Sequence, residues 1–180
     1  LNPDYAEAHN NMGVIQSDGE EFDDAITRFL EAIKINPRFS EAYFNMGKAQ
    51  KNRGDLEDAM VSYRKALELK PDYAEAFNNL GNIQKEQGDL EGAMDSFSRA
   101  VSLRPDFAQA LTNIGNVQKG RGDFDGAMIN YQRAIEVDSE YMPPYLNKGI
   151  VHHERGEYEI AIEMYQKAIR IDPDFPDVYS

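Results

Sequence analysis

Residues 74–107 read AEAFNNLGNIQKEQGDLEGAMDSFSRAVSLRPDF, a 34-residue unit that recurs along the chain. Between Ala74 and Gln87, the apolar residues Ala76, Phe77, Leu80 and Ile83 fall at the spacing of one helical stripe. Gly88 permits the left-handed turn that ends a helix, and Asp89 is a capping residue for the next one. The stripe resumes from Leu90 through Ala93, Met94, Phe97, Ala100, Val101 and Leu103. It stops at Pro105, which cannot continue the backbone ladder. Asp72 and Glu75 have capping-box spacing before the first helix. The unit is therefore expected to be a helix A, a tight turn, a helix B and a short link.

Its register holds in both directions. Glycine recurs at Gly13, Gly47, Gly81, Gly115 and Gly149. Alanine recurs at Ala25, Ala59, Ala93, Ala127 and Ala161, and again at Ala32, Ala66, Ala100, Ala134 and Ala168. An aromatic stands at Phe29, Tyr63, Phe97, Tyr131 and Tyr165. Proline closes the units at Pro3, Pro37, Pro71, Pro105 and Pro173, with Ser139 where the missing one belongs. Such a period reads as a solenoid of helical hairpins, in which each unit contacts only its neighbours. Five full units are expected at 6–39, 40–73, 74–107, 108–141 and 142–175. Residues 1–5 read as the end of a preceding unit and 176–180 as the start of a sixth, so the chain reads as an excerpt from a longer array. The small residues let helices approach, and the aromatic fills the space between them. Met46, Met60, Met94 and Met128 fall at packing positions.

These residues resemble the tetratricopeptide repeat over the whole chain, shown by Phe77, Leu80-Gly81, Gly88-Asp89, Ala93, Phe97, Ala100 and Pro105. The departures are local. His9 and Leu111 replace the first aromatic, and the turn glycine of repeat one, Gly19, falls one place early. Gln16, Gln50, Gln84, Gln118 and His152 stand where the family often has tyrosine. The resemblance implies an all-α fold, a right-handed superhelical solenoid of antiparallel helix pairs whose A helices line the concave surface.

Composition narrows the function. The 180 residues carry a net charge of −13 and a pI near 4.6, which opposes the basic stripe a nucleic-acid binder needs. There are no cysteines, so thiolate metal sites and disulfides are excluded, and a cytoplasmic location is the natural expectation. No apolar run approaches the roughly 20 residues of a membrane span, so no membrane insertion is expected. The adjacent His152 and His153 point about 100° apart on a helix and suit no shared metal. No phosphate loop or nucleophile–base pair is present. The chain on its own is read as no enzyme, with neither cofactor nor catalytic residue.

What packing leaves unexplained is asparagine. Asn11, Asn45, Asn79, Asn113 and Asn147 each stand two residues before the recurring glycine. Asparagine is a poor helix former because its side chain competes for backbone hydrogen bonds. Its amide can instead bond both the C=O and the N–H of an extended peptide. With A helices about 10 Å apart and a strand rise of about 3.3 Å per residue, a rung meets about every third peptide residue. Five rungs would clamp about a dozen. The bland alternative is that each asparagine bridges to the neighbouring repeat. Asn82, Asn116 and Lys48 lie one turn further on, and Lys51, Lys85 and Lys119 near the helix end. The lysine rim would favour an acidic or carboxylate-bearing segment, although helix polarity alone also places bases there. Asn10, Phe44, Asn78, Thr112 and Leu146 vary across units and are expected to set selectivity, with Phe44 and Leu146 as apolar anchors.

The asparagine ladder resembles that of O-linked N-acetylglucosamine transferases, which implies a substrate-recruiting role beside a catalytic part outside this chain. The lysine–asparagine–arginine clamp for chaperone tails is matched only at its asparagines, which disfavours that ligand. The sequence thus points first to a scaffold that binds an extended protein segment. A recruiting region of a larger transferase is the alternative, and a self-assembling array is the third reading. The open helix-B face of repeat five is expected to stack end to end on another molecule.

Overall fold

The computed structural model describes residues 3–173. Ten helices are present among them: α1 (Pro3–Asp18), α2 (Phe22–Ile35), α3 (Ser40–Arg53), α4 (Leu56–Leu69), α5 (Ala74–Glu86), α6 (Leu90–Leu103), α7 (Ala108–Gly120), α8 (Phe124–Val137), α9 (Pro143–Glu154) and α10 (Tyr158–Ile171). The class is all-α, with consecutive helices packed as pairs. Residues 1–2 and 176–180, assigned from sequence to flanking units, lie outside the described residues. Pro3–Tyr5 form the first turn of α1. The chain divides into two compact units, residues 1–83 and 84–180.

In the first unit, the ring of Phe29 on α2 lies against Gly13 on α1, and that of Tyr63 on α4 against Gly47 on α3. A Cβ on either glycine would come within 2.7 Å of a ring carbon. Hairpins then stack through the aromatic layer. Met46 and Ala49 of α3 join Ala25, Ile26 and Phe29 of α2, and Leu80 and Ile83 of α5 join Ala59 and Tyr63 of α4. The second unit repeats the scheme. Cβ atoms on Gly115 and Gly149 would meet Tyr131 and Tyr165 at 2.5 and 2.4 Å. Ile114 and Val117 pack on Ala93 and Phe97, and Val151 packs on Ala127 and Tyr131. Phe29, Tyr63, Phe97 and Tyr131 are fully buried, each contributing about 1.5–3 kcal/mol of apolar burial. Met60, Met94 and Met128 pack against these clusters.

Turns follow the register with one exception. Gly54, Gly88, Gly122 and Gly156 take φ of 100°, 81°, 80° and 75°. In repeat one the left-handed position falls to Glu20, with φ 61°, and the displaced Gly19 is not the turn residue expected from sequence. Asp89 and Asp123 cap α6 and α8 by accepting from the N–H of Gly92 and Gly126 at 2.9 Å. The expected box at Asp72 and Glu75 is corrected by the helix boundary. Because α5 starts at Ala74, the residue before it is Tyr73, and the corresponding Phe39 and Phe107 provide no side-chain cap.

Three of the glutamines that replace the family tyrosine fasten their hairpins, whereas the buried Gln16 Oε1 of repeat one has no hydrogen-bond partner. Ser62 donates to Gln50 Oε1 at 2.6 Å, and Ser96 donates to Gln84 Oε1 at 2.6 Å. Asn130 donates to Gln118 Oε1 at 2.8 Å. Gln118 also donates to the capping Asp123 at 3.0 Å, so one amide ties the turn to both helices. In repeat five, His152 Nδ1 and Glu157 meet instead.

Two expected outcomes follow from the turns and the amide ties. Glu20→Gly removes a left-handed non-glycine residue and raises stability by about 1 kcal/mol in urea unfolding; an unchanged midpoint would contradict the assignment of strain to Glu20. Gln50→Leu leaves the buried Ser62 hydroxyl unpaired and costs about 1–3 kcal/mol, whereas the double variant with Ser62→Ala recovers most of the loss. Equal losses in the single and double variants would refute the tie.

Candidate interaction surface

The asparagines sit mid-helix on the A helices, one residue from the buried stripe. Asn45, Asn79, Asn113 and Asn147 are half-buried and Asn11 is exposed. In the first unit, Val14, Ser17, Asn45 and Lys48 line one shallow depression with Asp18 and the edge of Phe29. Asn45 and Lys48 are residues that the sequence placed along the ladder, and the fold brings them together with Val14 and Ser17 across the first two hairpins.

The amides are also used within the chain. Asn45 Nδ2 donates to Asn10 Oδ1 at 3.1 Å, tying α3 to α1. Asn147 Nδ2 donates to the Pro143 carbonyl at 3.0 Å, and its Oδ1 accepts from Lys119 Nζ at 3.3 Å. Asn79 lies beside the Tyr63 hydroxyl: burial drives that phenol well above its ordinary pKa, and the amide partly offsets the shift. Asn113, Lys51 and Lys85 likewise engage other groups of the chain. Asn116 accepts from the Tyr131 hydroxyl at 2.9 Å, so that side chain secures the interhelix aromatic. An amide has two donor hydrogens and two acceptor lone pairs. Asn45 and Asn147 therefore each retain one N–H and acceptor capacity after these bonds, and the bonds fix the direction in which that capacity points.

The residues expected to set selectivity are corrected. Asn10 is 2% exposed, and Asn78 and Thr112 are also buried. Thr112 Oγ1 donates to the Ala108 carbonyl at 2.9 Å. Phe44 packs against Tyr73, with ring centroids 4.7 Å apart, and against Tyr63 at 5.9 Å. Leu146 is half-buried. These positions lie one residue, or about 100°, around the helix from the asparagines. That rotation turns them toward the neighbouring hairpin, so Phe44 is a core side chain and not a free anchor. Sequence reasoning noted Gln50, Gln84 and Gln118 as family departures but missed their role; the serine or asparagine twelve residues on at Ser62, Ser96 and Asn130 was the available signal. Tyr73, half-buried beside Glu41 and Glu75, has its phenol pushed up to about 12, chiefly by burial.

No helix among the described residues is long and apolar enough to cross a membrane. The pattern described as TPR repeat matches residues 17–54, 51–88, 81–122 and 151–180, and that described as tetratricopeptide repeat matches 108–141. No match was found among curated proteins. Among solved structures, the chain is similar to MamA, with 25% identity and a TM-score of 0.77 over 89% of this chain and 94% of that one. It is also similar to YrrB, described as a TPR protein with an unusual peptide-binding site, at 23% identity and a TM-score of 0.70 over 93% and 86% of the two chains. The pilF protein of Pseudomonas aeruginosa shares 20% identity with a TM-score of 0.85 over 93% of this chain and 76% of that one. With repeat patterns that match residues 17–141 and 151–180, the chain belongs to the tetratricopeptide repeat family.

Proposed function

We propose that the chain is a protein-interaction module that holds an extended polypeptide against its A helices, mainly through the peptide backbone. The observation that carries this reading is the convergence of Val14, Ser17, Asn45 and Lys48 on one depression in the first unit. Asn45 reaches it already oriented by Asn10, so less side-chain entropy is lost on binding. Asn11 and Asn79 extend the same series in that unit, and Asn113 and Asn147 form the series of the second. Lys48, which is exposed, gives the first unit a cation for an acidic or carboxylate-bearing segment. The peptide-binding site in YrrB's description shows that a protein of this fold can hold a peptide.

The triple variant Asn11→Ala, Asn45→Ala, Asn79→Ala tests the reading on an array of extended peptides. At about 1 kcal/mol per lost hydrogen-bonding side chain, bound peptides weaken at least tenfold, while circular dichroism shows helix content retained. Identical binding profiles for wild type and variant would end the proposal.

A second reading, self-association, rests on a different observation. Ile15 on α1 is 71% exposed, whereas Ala49, Ile83, Val117 and Val151 at its register positions are at most 2% exposed. On α10, Tyr158 and Ile162 are 58% and 55% exposed, whereas Ile26, in register with Ile162, is 8% exposed. One copy's α10 face would accept another copy's α1 as a following hairpin does. This head-to-tail contact is heterologous, so each added copy presents a fresh face to the next. Light-scattering mass is expected to rise with concentration, and Ile15→Glu or Ile162→Glu to abolish that rise. A concentration-independent monomer mass would refute it.

A further inference from the structure

A cavity of about 400 Å3 opens in the first unit on the flank of α3 away from the asparagines, floored by Tyr43, Met46 and Val61 and rimmed by Arg64, Lys65 and Glu68. At about 100° per residue, Tyr43 and Met46 lie roughly 160° around α3 from the stripe of Asn45 and Lys48, so the two surfaces are separate. The volume is in the range of small-ligand pockets. Part of its floor is backed by the core, because Tyr43 packs on the cluster of Ala25, Ile26, Phe29, Met46 and Ala49. The Ser62 hydroxyl at its wall is already tied to Gln50. Val61 is 64% exposed, an apolar side chain that no neighbour covers.

The rim sets the ligand's charge. Lys65 is paired with Glu68 at 2.7 Å, which neutralises both. Arg64 makes no hydrogen bond or ion pair with a described residue. Its guanidinium is thus the cation available beside the apolar floor, and its planar fork suits a carboxylate. The groove itself is a property of the helix pair. In the second unit, the register-equivalent Tyr145, Lys167 and Arg170 line a depression with Ser139 and Glu140. Lys148 stands at the register position of Met46 but is tied to Gln132 at 2.8 Å and does not line that depression.

We propose that the Tyr43–Met46–Val61 cavity is a second binding site, for a protein segment that inserts an aromatic or large aliphatic side chain and sets an adjacent carboxylate on Arg64. The site is independent of the asparagine-bearing face. The ligand's acid sits next to its anchor because Arg64 lines the same cavity as the apolar floor.

The test is a titration of the full 180-residue chain, followed by methyl and amide NMR, with the peptides Ac-Gly-Phe-Asp-Gly-NH2 and Ac-Gly-Phe-Asn-Gly-NH2. The Val61 and Met46 methyl signals are expected to shift and saturate, with the aspartyl peptide binding about three- to fivefold more tightly. Arg64→Gln removes that difference while leaving the asparaginyl peptide's affinity unchanged, and Val61→Asp abolishes the Met46 shift. Both side chains are exposed, and circular dichroism confirms the fold of each variant. If neither peptide moves Val61 or Met46, if only signals around the asparagines move, or if Arg64→Gln keeps the difference, the proposal is overturned.

Discussion

Four hairpins depend on one contact, an aromatic ring of helix B pressed onto the bare backbone of helix A. Phe29 on Gly13, Tyr63 on Gly47, Tyr131 on Gly115 and Tyr165 on Gly149 leave no room for even a methyl group. The ring that closes one hairpin is also the surface on which the next A helix lies, as Met46 does on Phe29. Interhelix distance and stacking are therefore set by the same side chain. Ion pairs between neighbouring hairpins, such as Arg53 with Asp23 and Arg155 with Asp125, are exposed and add little by comparison.

That contact also dictates what the rest of helix A can do. With the glycine turned toward its own helix B and positions such as Ala49 and Val151 turned toward the preceding hairpin, one side is left at the surface. The asparagines stand at its border. Asn45 reaching Asn10 and Asn147 accepting from Lys119 show that a border residue can bridge hairpins and still present part of its amide outward. The ligand-contact and structural readings of these residues are thus compatible uses of a side chain with four hydrogen-bonding valences.

The helices, their pairing and the packing methionines were legible in the sequence, because the period repeats each signal five times and the physics behind each is local. Gly88 turning left-handed and Asp89 capping α6 needed only their own neighbours. The misreadings came where a decision depended on one residue of rotation or register. Phe44 looked like an anchor but sits about 100° from the asparagine beside it, against Tyr73. Gly19 looked like a turn glycine, but the fixed length of the hairpin gives the turn to Glu20. The cavity beside Arg64 was not legible, since it forms from two helices whose exposed residues have no shared pattern.

The amide fastener has a consequence for how such a chain can grow. Gln50 closes on Ser62, Gln84 on Ser96 and Gln118 on Asn130, each within a single hairpin. In these three modules the buried amide oxygen at the bend is satisfied from within the module. Copying such a module during gene duplication therefore carries its latch along, and the latch can drift to a different chemistry, as His152 with Glu157 has, without forcing change in the modules beside it.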